Sequence, residues 1–159
     1  MGWNGMKILI IEDQKEKALD IERSIKDMIT LTHPVEKKTS LKSGLRELVL
    51  GGEYDLLLLD MSMPRFDFDT EELDAPIPES FAGSQIMSEM QLRDINVPVI
   101  VVTQYSVFGE NRTELKVLDE RFRSKFPDFY LGSVYYSSGN NTWKLELEKL
   151  ITSKFAGSL

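Results

Sequence analysis

The chain contains no cysteine in its 159 residues, which excludes disulfides, thiol nucleophiles and thiolate zinc sites. Histidine is almost as scarce. The one histidine, His33, stands before Pro34 in a turn-forming context, which points to a structural role and not to catalysis. Long apolar runs are missing too: stretches such as 8–11 are far too short for a signal-peptide h-region or a membrane span. Met1-Gly2 begins like a myristoylation signal, but position 6 is methionine where serine or threonine is required. Positive charge is in deficit, with 19 basic against 26 acidic residues and a net charge of -7. That balance disfavours direct binding to nucleic acid, which needs a basic face, and docking on an anionic membrane. These absences lead us to expect a cytoplasmic protein. Hydrophobic content of 42% with no internal repeat or interdomain linker gives one expected domain, 1–159, large enough for a substantial core.

What is present centres on residues 55–64, Asp-Leu-Leu-Leu-Leu-Asp-Met-Ser-Met-Pro. A short continuous apolar run bounded by turn signals reads as a strand buried on both faces. Asp60 stands at its carboxyl end, where open α/β folds hold ligands. The run 7–13 repeats the pattern, four apolar residues leading into Glu12 and Asp13, and 99–103 (Val-Ile-Val-Val-Thr) is a third such strand.

Between these runs the periodicity is helical. Ala18, Ile21, Ile25, Met28 and Ile29 give 14–31 one apolar face. A weaker strand is expected at 35–39. Ser40 then caps a helix carrying Leu41, Leu45 and Leu48, which closes at Gly51-Gly52. A helix resumes near Ala82 and Gly83, and another is expected over 111–124 after a polar loop at 104–110. A last strand over 129–135 leads to a closing helix that buries Trp143, Leu147, Leu150 and Ile151. The aromatics Phe126, Phe129, Tyr130, Tyr135 and Tyr136 are assigned mostly to core and edge packing. Five strands alternating with five helices specify an α/β fold with a parallel sheet covered on both faces.

In such a sheet the first and third strands are neighbours, so Glu12, Asp13 and Asp60 converge on one rim. Mutual repulsion among three carboxylates is costly unless a cation sits among them or one is protonated. A few carboxylates that leave room for water and a phosphoryl oxygen suit magnesium, and an aspartate beside such an ion can act as a nucleophile toward phosphorus. Thr103 adds a hydroxyl at the same rim.

The runs 8–13, Asp60-x-x-Met63-Pro64 and Val101-Val102-Thr103 together resemble the receiver domain of two-component response regulators. The resemblance implies a flavodoxin-like (βα)5 three-layer sandwich with strand order 2-1-3-4-5. It implies that Asp60 is the phosphoacceptor and that Glu12, Asp13, Asp60 and the Ser62 backbone carbonyl hold magnesium. Thr103 would contact the phosphoryl group, and Tyr130 would be the switch aromatic. The protein would then be a phosphoacceptor and not an enzyme in its own right. Its partners would be a histidine kinase or phosphotransfer protein and a downstream protein docking near the fourth helix and fifth strand. Because the chain stops soon after the last helix, the expected form is a stand-alone receiver.

Two features depart from the family. Receivers carry a lysine, then proline, at the end of the fifth strand; here that lysine position falls on Ser133, and no lysine lies between Lys125 and Lys144. A charge-assisted hydrogen bond of about 1.5–3 kcal/mol would be missing. Second, 65–80 forms an acidic insertion with Asp67, Asp69, Glu71, Glu72, Asp74 and Glu79. It is either a solvated loop or a functional segment, a partner-docking arm or a flap beside the phosphorylation site, and with Glu72 at the sixth position from Asp67 it cannot be a calcium loop. These departures favour an alternative, a phosphorylation-independent pseudo-receiver acting as a protein-interaction module. A phosphohydrolase with paired aspartates is disfavoured, because Asp67-Phe68-Asp69 is not at a strand end and position 62 is serine.

Overall fold

A computed structural model describes residues 5–66 and 81–155. The acidic insertion, apart from Arg65 and Phe66, lies outside the described residues. Five strands form one parallel sheet: β1 (Ile8–Ile11), β2 (Glu36–Lys38), β3 (Leu56–Leu59), β4 (Val99–Thr103) and, after two short strands described below, β7 (Tyr130–Tyr135). Their spatial order is β2-β1-β3-β4-β7, so β7 is the fifth strand of the expected 2-1-3-4-5 sheet. The helices are α1 (Lys15–Met28), α2 (Leu41–Leu50), α3 (Ala82–Leu92), α4 (Leu115–Lys125) and α5 (Thr142–Phe155).

The leucine and isoleucine runs are apolar throughout because both sheet faces are covered. Leu9, Ile11, Leu57 and Leu59 pack with α2, α3 and α4 through Leu48, Ile86 and Phe122. Ile8, Ile10, Leu56 and Leu58, one residue out of phase, pack with α1 and α5 through Ile21, Ile25, Trp143 and Leu147. This is the three-layer arrangement. No helix among the described residues is long and apolar enough to cross a membrane.

Ser40 caps α2 as expected. Its Oγ accepts from the Ser43 amide at 3.1 Å, while Ser43 Oγ accepts from the Ser40 amide at 3.2 Å. Two further free amides of this helix, Leu41 and Lys42, donate to the carbonyls of Pro64 and Arg65 at 3.0 and 2.9 Å. The start of α2 therefore holds the chain that leaves the β3 rim.

Three expectations need adjustment. The region 104–114 is not simply loop followed by helix: β5 (Val107–Phe108) and β6 (Thr113–Glu114) pair antiparallel, and α4 begins only at Leu115. Gly109, at φ +72°, allows the tight reversal, and Phe108 turns inward onto Phe81 and Tyr105. Tyr135 is 50% exposed, unlike Phe126, Phe129, Tyr130 and Tyr136, which are buried. Leu150 is only partly buried against the core.

Candidate functional site

Parallel pairing of Ile11 with Leu59 places the residues that follow them side by side. The Asp60 amide continues the ladder, donating to Ile11 O at 3.1 Å. Asp60 is 3% exposed, and its Oδ1 accepts from the Met61 amide at 2.7 Å. The first turn of α3 closes over this turn, with the Gly83 amide donating to Met61 O at 3.0 Å. A β-carbon at Gly83 would lie 2.5 Å from Asp60 O and 3.0 Å from Met61 Cα. Both are backbone, so neither yields by rotation. Gly83→Ala is therefore expected to cost about 1–3 kcal/mol in chemical unfolding by pushing α3 off the Asp60 turn. An unchanged denaturation midpoint would show that the two segments are not packed as closely as this.

Glu12, Asp13 and Asp60 each offer a carboxylate oxygen within 4.8 Å of the others. Glu12 is buried and Asp13 half-buried. Burial raises the Glu12 carboxyl to about 8, with Asp60 adding to the rise while Lys17 and the Gln14 amide oppose it. Burial also raises Asp13, the Glu12 side chain opposing and Asp60 adding.

The cation in this cluster is Lys17, on the first turn of α1. Its side chain is 2% exposed, with Nζ 2.5 Å from Glu12 Oε2 and 3.3 Å from Asp60 Oδ2. These contacts are ion pairs without hydrogen-bond alignment, since neither Glu12 Oε2 nor Lys17 Nζ has a hydrogen-bond partner among the described residues. With all three carboxylates ionised, the one ammonium leaves two negative charges uncompensated. That deficit and the all-oxygen donor set fit a hard divalent cation. Lys17 was not singled out from the sequence. Its signal is the series Lys17, Ile21, Ser24, Ile25, which puts a lysine on the buried face of α1.

Thr103, fully buried, ends β4 next to β3, and its Oγ1 accepts from the Tyr105 amide at 3.2 Å. Ser62 follows Asp60 by two residues on the turn leaving β3, and is half-buried.

No family model matches the chain. It is 29% identical over 150 residues to the Detocs response regulatory protein DtcB of Enterobacter cloacae, covering 92% of this chain and 99% of that protein. Among solved structures, the Mn2+-bound form of response regulator Rcp1 aligns with a TM-score of 0.59 at 20% identity, over 97% of this chain and 96% of that one. The phosphorylated cyanobacterial phytochrome response regulator RcpA also aligns at 0.59, with 17% identity over 98% and 96% of the two chains. The chain has the response-regulator receiver fold.

Within that receiver fold the two residues assigned to β7 face α4. Between Val99 and Ile100 the pairing with β7 skips Leu131, so Val99 matches Tyr130 but Ile100 matches Gly132. This bulge leaves Ser133 level with Val101, two pairs short of Thr103. Its hydroxyl makes a short hydrogen bond with Tyr130 OH, which also donates to Asp119 Oδ1 on α4 at 2.5 Å. Tyr130 is 6% exposed, and burial with the Asp119 bond pushes its phenol well above the ordinary range. The expected lysine position is thus occupied by a hydroxyl tied into an α4 network. The cation at the β1/β3 rim enters from α1.

Proposed function

We propose that the protein is a response-regulator receiver that accepts a phosphoryl group on Asp60 and signals by binding a partner. The observation that carries this is the convergence of Glu12, Asp13 and Asp60 at the β1/β3 rim, with Glu12 and Asp60 buried and Asp13 half-buried. Asp60 would act as phosphoacceptor: a carboxylate oxygen forms the new O–P bond while the donor leaves with the electron pair of its broken bond to phosphorus. Oδ1 is held by the Met61 amide, which fixes the orientation of the carboxylate before reaction. The Thr103 hydroxyl, which accepts from Tyr105 and keeps its own proton, is free to donate to a phosphoryl oxygen. Glu12, Asp13, Asp60 and the Ser62 carbonyl would hold magnesium, which supplies charge neutralisation for the phosphoryl oxygens when bound. The protein would be a phosphoacceptor for a histidine kinase or phosphotransfer protein in the cytoplasm, not an enzyme acting on a separate substrate.

For the downstream partner we favour the face between α4 and β7. Val107 and Tyr135, 36% and 50% exposed, line a shallow hollow there with Leu115 and Lys116. The partly buried Tyr130–Asp119 bond links this face to β7.

Intact-mass spectrometry after incubation with magnesium and acetyl phosphate tests the proposal. Wild type is expected to gain one phosphoryl group only with magnesium, and Asp60→Ala none. No gain in wild type, together with no magnesium binding by titration, would leave an interaction module without receiver chemistry.

A further inference from the structure

We propose that Lys17 supplies, from α1, the phosphoryl-facing cation that β7 does not. This deepens the reading of Asp60 as phosphoacceptor and rests on it.

Placing a lysine here runs against two general preferences. Burying an ammonium carries a desolvation cost of several kcal/mol, and the first turn of a helix is the positive end of its dipole. The position is tenable because Glu12 and Asp60 face it. Of the two Asp60 oxygens, Oδ1 takes the Met61 amide and Oδ2 faces Nζ. An ammonium has three donors, and among the described residues the acceptors against Nζ are its two unaligned carboxylate contacts. It therefore holds donor capacity beside the oxygen that stands nearest to it on Asp60.

The surroundings fix this geometry. The Tyr136 ring centroid lies 5.7 Å from Nζ. That ring is held by its hydroxyl, which donates to Asp20 Oδ2 at 2.8 Å, and by Trp143, 5.0 Å away centre to centre. Lys17 cannot swing to solvent without displacing this packing. Ser133, by contrast, is engaged with Tyr130 on the α4 side.

In transfer from an acyl phosphate, an Asp60 oxygen forms an O–P bond and the acyl O–P bond breaks. The carboxylate leaves with that electron pair, and no proton moves. The phosphoryl oxygens keep their negative charge from donor to product, and Lys17 stays an ammonium facing them. Its contact with Asp60 is exchanged for one with the phosphoryl group, so α1 registers the transfer alongside Thr103 on β4.

The test uses the full chain as wild type, Lys17→Met and Lys17→Arg. Labelling by acetyl phosphate is followed at a magnesium concentration shown by titration to saturate each protein. Lys17→Met is expected to label about tenfold to a hundredfold more slowly, the equivalent of one lost charge-assisted hydrogen bond, while still binding magnesium. Lys17→Arg should recover part of the rate. In wild type carrying 15N-lysine, the Lys17 ammonium resonance should shift on adding beryllofluoride with magnesium, beyond any shift from magnesium alone. If Lys17→Met does not fold, this resonance and the Lys17→Arg rate decide the matter. Labelling of Lys17→Met within about twofold of wild type, or a resonance indifferent to beryllofluoride, overturns the assignment of Lys17 while leaving Asp60 in place. A wild type that takes no phosphoryl group overturns both.

Discussion

Asp13→Ala should weaken magnesium binding by more than about a hundredfold and at the same time stabilise the metal-free protein. The first effect follows from its place among the proposed magnesium-holding groups, since loss of even an outer-shell partner commonly costs 10–100-fold. The second follows from electrostatics. Burial holds the Asp13 carboxyl above its ordinary range, with Asp60 adding to the rise. A carboxylate whose pKa is raised by folding opposes folding once it is ionised, so removing it relieves the native state at neutral pH. Thermal unfolding in chelator should therefore show a higher midpoint for Asp13→Ala than for wild type. With magnesium the order should reverse, because only wild type gains the stabilisation of a bound ligand. Calorimetric titration measures the affinity directly. Wild-type affinity in the variant would remove Asp13 from the ligand set. A lower midpoint in chelator would show instead that its carboxylate supports the β1–α1 turn.

The sequence made the sheet legible because each central strand is a run of four or five apolar residues, and few structures other than a doubly covered parallel strand bury such a run. The same runs located Asp60, Glu12, Asp13 and Thr103, since a strand's last residue is fixed once its apolar stretch ends. The hairpin at β5 and β6 was less legible. Two-residue strands have no periodicity to read, and Phe108 stands alone in a polar stretch. The bulge at Leu131 was also hidden. It depends on how β7 meets β4, not on the composition of β7, and it turns Ser133 toward Tyr130. Lys17 was missed for a different reason. A lysine in a helix is ordinarily solvated, and only the apolar neighbours Ile21 and Ile25 on its face reveal that this one points inward. The positive charge at this rim comes from α1 and not from the fifth strand.

Metal binding and stability should both depend on pH through Glu12, in opposite directions. Burial raises its carboxyl from an ordinary 4.5 to about 8 despite the opposing attraction of Lys17. Between those values the native protein keeps a proton that the unfolded chain has released. Stability is then governed by the greater proton uptake of the native state, so it falls as pH rises. The contribution is fully present below 4.5, and it is lost as pH rises through about 8. Chemical denaturation in chelator at pH 6, 7 and 8 should show this decline, and Glu12→Gln, which has nothing to titrate at that position, should flatten it. Magnesium requires the ionised carboxylate, so below about pH 8 its binding must expel the proton. Affinity should accordingly rise with pH by up to about tenfold per unit between 6 and 8, then level off. Saturating magnesium should erase most of the stability decline, because the ion provides the charge that burial withholds. Titration calorimetry in buffers of different ionisation enthalpy counts the released protons. A count near one at pH 6.5 and near zero at pH 9 is expected. A count of zero at both would mean that Lys17 already holds Glu12 ionised, and the pH dependence of magnesium affinity would then have to vanish with it.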